Sequence, residues 1–249
     1  MKRFGLLVSL AALASSLIVT SPAPASAALP NCGSQGNYHD GFRKDTNDTY
    51  VTYGVSALVR VQHGDVCTSG DTGQTNFTNA WTMLSSHLGG GWGQTGFIRW
   101  YNHLTVHFSQ WKMGSCCGAH TSFGATHLSA GELHQYWTLR TSSANCPLTP
   151  KCLIGHIDQT TWFYSGFDPA DGGWSTPFIQ LYEGETGYLE SDVPGLSSAK
   201  TGYDQMQYVN GSNQWVNQGC GMVAVQQNPV RWDQETVTCG HRRIWTAVP

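Results

Sequence analysis

Apolar and polar residues alternate along most of this chain with a period of two. In 50–61, YVTYGVSALVRV, the residues Val51, Tyr53, Val55, Ala57, Val59 and Val61 share one face, as they would on a pleated strand with one buried side. FTNAWTML at 77–84 puts Trp81 and Met83 together. Glycines 89–91 then turn the chain into WGQTGFIRWY at 92–101, where Trp92, Gln94, Gly96, Ile98 and Trp100 fall on a common face. HLTVHFSQW at 103–111 sets Leu104, Val106 and Phe108 against His103, Thr105, His107 and Trp111. Further strands are expected at 132–140, 153–163, 178–195, 203–209, around 215–216, at 221–225 and near 244–248. No segment carries a helical period behind a capping residue. About ten short strands at regular spacing predict an all-β fold, a single antiparallel sandwich of the concanavalin or jelly-roll kind.

The ends and loops set the boundaries of that domain. Lys2 and Arg3 precede an apolar run from Phe4 to Val19, and Ala25-Ser26-Ala27 supplies small residues for cleavage. This is the pattern of a secretory signal peptide rather than a membrane span. Residues 28–49 are polar and read as an N-terminal arm tied by Cys32, leaving 50–249 as one domain. Segments 65–75, 115–130 and 169–177 read as loops.

Composition narrows the partners. The signal segment contains two of the 13 basic residues and none of the 16 acidic ones, which leaves eleven against sixteen, a net charge of −5. That balance excludes a nucleic acid or an anionic membrane as a natural partner, and a monomer without cofactor is expected. All eight cysteines follow the signal, and an even number in an exported chain reads as disulfides, with about 105 possible connectivities. Spacing suggests Cys146–Cys152 and Cys220–Cys239 as local staples. The adjacent Cys116 and Cys117 are then expected to bond outward, to Cys32 and Cys67. There is no CxxC pair, and His103 and His107, four apart on a strand, are too far apart to chelate one ion, so no metal is expected.

Chemistry points to carboxylates. The segment 178–195, FIQLYEGETGYLESDVPG, gathers Glu183, Glu185 and Glu190 within eight positions of a chain in which charged residues make up 12%. Alternation places Glu183 and Glu185 on one face and Glu190 on the other, unless a glycine inserts a bulge. No GxSxG elbow, HExxH helix or phosphate loop is present. Ten Trp and ten Tyr with little charge also suit a non-catalytic carbohydrate-binding, lectin-like module with a polysaccharide partner. A glycosidase would need Glu185 and Glu190 to face each other at about 5–9.5 Å, and a secreted structural protein with no site remains a further alternative.

In their order, several short motifs resemble the glutamic peptidases of the fungal acid-protease type, the eqolisins. NAW in 77–84 is similar to the family's first Trp-containing strand, and GWGQTGF at 91–97 to the strand carrying the catalytic Gln. VHFSQWKM at 106–113 and 203–208 are similar to aromatic strands, and GETGYLESD at 184–192 to the strand with the catalytic Glu. The neprosin-type prolyl endopeptidases, which use two Glu, are a looser match. Carried over, the resemblance implies an all-β sandwich and a polypeptide substrate, with Gln94 and either Glu185 or Glu190 as the catalytic pair. Ungapped spacing to Tyr203, Met206 and Tyr208 favours Glu185, and the aromatic context and following turn favour Glu190. The tryptophan that neighbours the family's catalytic Glu is missing here. Under this reading Glu would take a proton from an attacking water while Gln94 donates to the oxyanion. Trp92, Trp100, Trp111 and Tyr188 would wall the substrate groove.

Overall fold

The computed structural model describes residues 31–33, 35–44, 52–67, 76–86, 91–101, 104–114, 118–142, 146, 148–149, 151–166 and 178–247. The signal segment, His103, the Cys116-Cys117 pair and the 169–177 turn lie outside them. Sixteen strands and no helix occur among the described residues. The first five are β1 (Gln35–Lys44), β2 (Gly54–Arg60), β3 (Phe77–Ser86), β4 (Trp92–Trp100) and β5 (Thr105–Lys112). Then come β6 (His120–Phe123), β7 (Leu133–Ser142), β8 (Lys151–Ile157), β9 (Thr160–Tyr164) and β10 (Phe178–Tyr188). The last six are β11 (Gly195–Leu196), β12 (Ala199–Val209), β13 (Trp215–Asn217), β14 (Val223–Gln226), β15 (Trp232–Thr238) and β16 (His241–Thr246).

They form two sheets. One has seven strands in the order β14-β1-β10-β3-β4-β5-β6. The other has nine, in the order β15-β16-β11-β12-β2-β7-β8-β9, with β13 also on β12 and a second pairing between β12 and β16. Neighbours are antiparallel except for the bridge between Leu196 and Thr246. Both sheets feed one core. Phe42, Ala80, Leu84, Phe97 and Tyr182 come from the seven-stranded sheet, and Val55, Ala57, Val59, Tyr136, Leu153 and Met206 from the other. The buried face of β2 is the one its alternation predicts.

The seven-stranded sheet is apolar on its other face as well. Trp81, Ile98, Val106 and Phe108 form a separate cluster there, with Phe77, Met83, Trp100 and Leu181 packed around it. Period two explains the split, since Ala80 and Leu84 of β3 enter the shared core while Phe77, Trp81 and Met83 point the opposite way. Gly96 sits opposite Trp81 in register. A Cβ at Gly96 would collide with the Ala80 carbonyl oxygen and the Trp81 backbone, so only glycine lets the two strands close up under the indole.

Two expectations are corrected by this arrangement. The segment read as a polar arm contributes β1, paired with β10 on one side and β14 on the other. The disulfides Cys146–Cys152 and Cys220–Cys239 are formed, but Cys32 is bonded to Cys67. Neither is therefore available to Cys116 or Cys117. The cause is β1 itself. Once it joins the sheet, Cys32 just before it lies 5.1 Å, Cα to Cα, from Cys67 beyond β2, within the usual disulfide span.

Candidate active site

The outward face of the seven-stranded sheet carries a cavity of about 180 Å³, lined by Gln94, Ile98, Trp100, Gln110, Asn79 and Glu185 among others. It has room for a handful of waters. Six strands contribute to it, β1, β10, β3, β4, β5 and β6. Glu185 of β10 is level with Asn79 of β3 and Ile98 of β4, whereas Gln94 is level with Met83 and Gln110. Gln94 and Glu185 are thus staggered by four residues along the sheet, on strands separated by β3.

Glu185 is buried, at 7% exposure, and its carboxyl group is met by two donors from β3. The Trp81 indole Nε1–H donates to Oε2 at 3.2 Å and the Asn79 carboxamide to the same oxygen at 3.3 Å. None of the described residues donates to Oε1. Such convergence fixes the carboxylate and leaves one oxygen for a ligand in the cavity. The neighbouring Glu183 lies on the same face, 3.2 Å from His39 Nδ1. Burial, only partly offset by His39, pushes the Glu183 carboxyl above its ordinary 4.5. Burial also opposes charge on His39, but the contact with Glu183 and the charges of Glu185 and Glu183 outweigh it and hold the imidazole above 6.5. His39 is the cross-strand partner of Glu185 on β1.

Gln94 is buried too, at 5% exposure. Its Nε2 donates to Gln110 Oε1 at 2.9 Å, and Gln110 Nε2 donates in turn to Thr121 Oγ1 at 2.9 Å. This relay across β4, β5 and β6 orients the amide. A carboxamide nitrogen has two hydrogens, so the second remains for the cavity.

Of the aromatic residues expected to wall a groove, Trp100 does so, set edge-on to Phe123 with ring centroids 4.6 Å apart. Trp92 is half-buried on the same face but outside the lining. Trp111 and Tyr188 face the other way. Trp111 is an odd-numbered position on a strand whose even-numbered Phe108 and Gln110 meet the cavity, and it stacks on His120. Tyr188 has the parity of Tyr182, a core residue. Glu190 follows the end of β10 in a turn, and its Oε2 accepts the Gly33 amide N–H at 2.9 Å. The structure therefore brings Gln94, Glu185 and Trp100 to one cavity and leaves Trp92, Glu190, Trp111 and Tyr188 out of its lining.

No protein-family model and no curated protein sequence matches the chain. Among solved structures, it is similar to Scytalido-glutamic peptidase with a peptide-based transition-state analogue, at TM-score 0.54 and 12% identity, covering 86% of this chain and 100% of that one. A second structure, of the same peptidase with a transition-state analogue inhibitor, gives TM-score 0.58 with equal identity and coverage. The chain has a glutamic-peptidase-like fold. At that identity the likeness concerns architecture alone.

Asn79, Trp81, Gln110 and Thr121 were not among the expected site residues. Gln110 could have been found, because it shares the parity of Phe108 while being polar. The donors on β3 could not, since the pairing of β3 with β10 spans about a hundred residues and leaves no local trace. His107, His134 and Asp158, whose donor atoms cluster as metal ligands do, sit outside this cavity, His107 on the opposite face of β5.

Proposed function

We propose that the chain is a secreted hydrolase, a glutamic-peptidase-like endopeptidase that cleaves polypeptides in acid with Gln94 and Glu185. The observation that carries this is the shared cavity of these two side chains, with Glu185 anchored through Oε2 alone. A peptide carbonyl seated between them would present its oxygen to the uncommitted N–H of Gln94. Glu185 Oε1 would take a proton from a water as the water oxygen attacks the carbonyl carbon, then return that proton to the leaving amine. Gln110 and Thr121 would hold Gln94, and Trp81 and Asn79 would hold Glu185. Trp100 and Phe123 would supply an apolar wall.

Three disulfides among the described residues suit an oxidising compartment, in keeping with the signal-like first 27 residues. We read the two facing sheets as a concanavalin- or jelly-roll-like sandwich forming a single domain, active as a monomer.

The test is hydrolysis of an acid-denatured protein by the purified chain across mildly acid pH. Gln94→Ala and Glu185→Gln are each expected to lower kcat by roughly a hundred-fold or more, with the fold retained by circular dichroism. Parental turnover in both variants would overturn the proposal. Capture on a polysaccharide with no hydrolysis at any pH would replace it with glycan binding.

A further inference from the structure

We propose that His107, His134 and Asp158 bind a divalent transition-metal ion, zinc foremost, that clasps the seven-stranded sheet to the nine-stranded one. His107 belongs to β5 of the first sheet, His134 to β7 of the second, and Asp158 to the turn joining β8 and β9. One donor atom from each lies within 4.8 Å of the other two. A tetrahedral zinc site sets its ligand atoms about 3.4 Å apart, so the wider pairs would close by up to about 1.4 Å and the 2.9 Å contact between His134 Nδ1 and Asp158 Oδ2 would open to admit the ion, shifts within the reach of side-chain rotation.

Each ligand is already held from behind. His107 Nδ1 is 2.8 Å from the hydroxyl of Tyr136, which is fully buried, leaving the other ring nitrogen for a cation. His134 presents Nδ1 to Asp158 Oδ2 at 2.9 Å, and its Nε2 lies 3.4 Å from Glu132 Oε2. A carboxylate behind the distal nitrogen of a histidine is how such ligands are commonly oriented and made more basic. Asp158 is fixed on both sides, because its Oδ1 accepts the Gln135 amide N–H at 2.9 Å and its own N–H donates to the Gln135 carbonyl at 2.7 Å. Its backbone takes the left-handed conformation, φ 54°, which aspartate tolerates better than most residues. The imidazoles meet edge to face with centroids 4.5 Å apart. Neither histidine has a role in the cavity of Gln94 and Glu185.

The donor set selects the ion. Two imidazoles and one carboxylate suit zinc, or copper and nickel, and not calcium or magnesium, which want oxygen ligands throughout. Beside the cluster is an open cavity of about 480 Å³ lined by His107, Asp158, Thr160, Thr161 and Trp162 among others. It gives a cation a way in and a water the fourth position. Because the ligands come from both sheets, binding would stabilise the folded chain by mass action.

The experiment uses the full-length chain as purified, freed of metal with a chelator and titrated with zinc chloride by calorimetry and by thermal melting. One equivalent of zinc and a rise in Tm are expected, with calcium and magnesium producing no change. His107→Ala and Asp158→Asn should each weaken zinc binding roughly ten-fold or more, and His120→Ala, a histidine outside the cluster, should leave it unchanged. Binding that survives in a His107→Ala, His134→Ala double variant would overturn the proposal. Should the variants fail to fold, cobalt titration of the parent decides. Absorption of four-coordinate cobalt supports the site, and a hydrated-ion spectrum refutes it.

Discussion

The indole N–H of Trp81 reaches across from β3 to Glu185 Oε2 on β10, at 3.2 Å, and both groups are buried. A hydrogen bond to a buried charged group contributes about 1.5–3 kcal/mol. Trp81→Phe keeps most of the packing and removes the donor. If Glu185 is the base, kcat in peptide hydrolysis should fall roughly ten- to hundred-fold, with KM little altered, because Trp81 touches the acid and not the substrate. A rise in KM at constant kcat would instead make Trp81 part of the substrate wall.

A parallel relation holds on the other side of the cavity, where Gln94 Nε2 donates to Gln110 Oε1 at 2.9 Å. If Gln94 is catalytic, Gln110 acts through it and is a positioning residue. Gln110→Ala should lower kcat roughly five-fold, in line with one neutral hydrogen bond of about 1 kcal/mol. Gln110→Glu retains the acceptor that Gln94 needs and should recover most of the rate, although it forfeits the donor to Thr121. Equal loss in both variants, measured by kcat and KM on one peptide, would refute the positioning role.

The two glutamates left open by the sequence can be separated by activity. Glu190 accepts the Gly33 N–H from a turn outside the cavity, and glutamine can accept the same bond. Glu190→Gln should therefore hydrolyse denatured protein at the parental rate and lose little stability, whereas Glu185→Gln should show the loss of roughly a hundred-fold or more in kcat expected of the catalytic acid. The reverse pattern in a matched assay would move the catalytic role to Glu190.

How far the sequence revealed this arrangement depends on where each residue's signal lay. The all-β class, the strands β2 to β5 and the common face of Gln94 and Trp100 were legible because one side of each strand is apolar and period two is a local property. β1 was not. With Asn37 and His39 on its outward side and Asp40 buried on its inner one, QGNYHDGFRK shows no apolar alternation, and it is a strand only because β10 and β14 pair with it. β6 was hidden for the opposite reason, since all four of its residues are exposed. Trp111 shows the limit of parity arguments. Alternation says which residues share a face, but which face carries the cavity is settled by long-range pairing, and only that pairing puts Trp111 and Tyr188 away from it.

Asp40 supplies a prediction about pH. It is fully buried, and neither carboxylate oxygen has a hydrogen-bond partner among the described residues. Burial above all, reinforced by the charges of Asp233 and Glu183, raises its carboxyl from an ordinary 3.8 to about 8. Below 3.8 the folded and unfolded chains both keep this proton. Between there and about 8 the unfolded chain releases it while the folded chain holds it, so stability must decline as pH rises, by about 1.4 kcal/mol per pH unit for one proton. Above that range the folded carboxyl ionises as well and the decline stops. Asp40→Asn occupies nearly the same volume and has no proton to lose. Thermal melting of parent and variant at a series of pH values should therefore give similar Tm values at the acid end and a widening advantage for Asp40→Asn toward neutral pH. A buried acid that is not coupled to Asp40, such as Asp192, titrates in both proteins and cancels in the difference. Parallel Tm curves across the whole range would show that Asp40 is ionised and solvated in the native chain, and the unpartnered buried carboxyl described here would have to be abandoned.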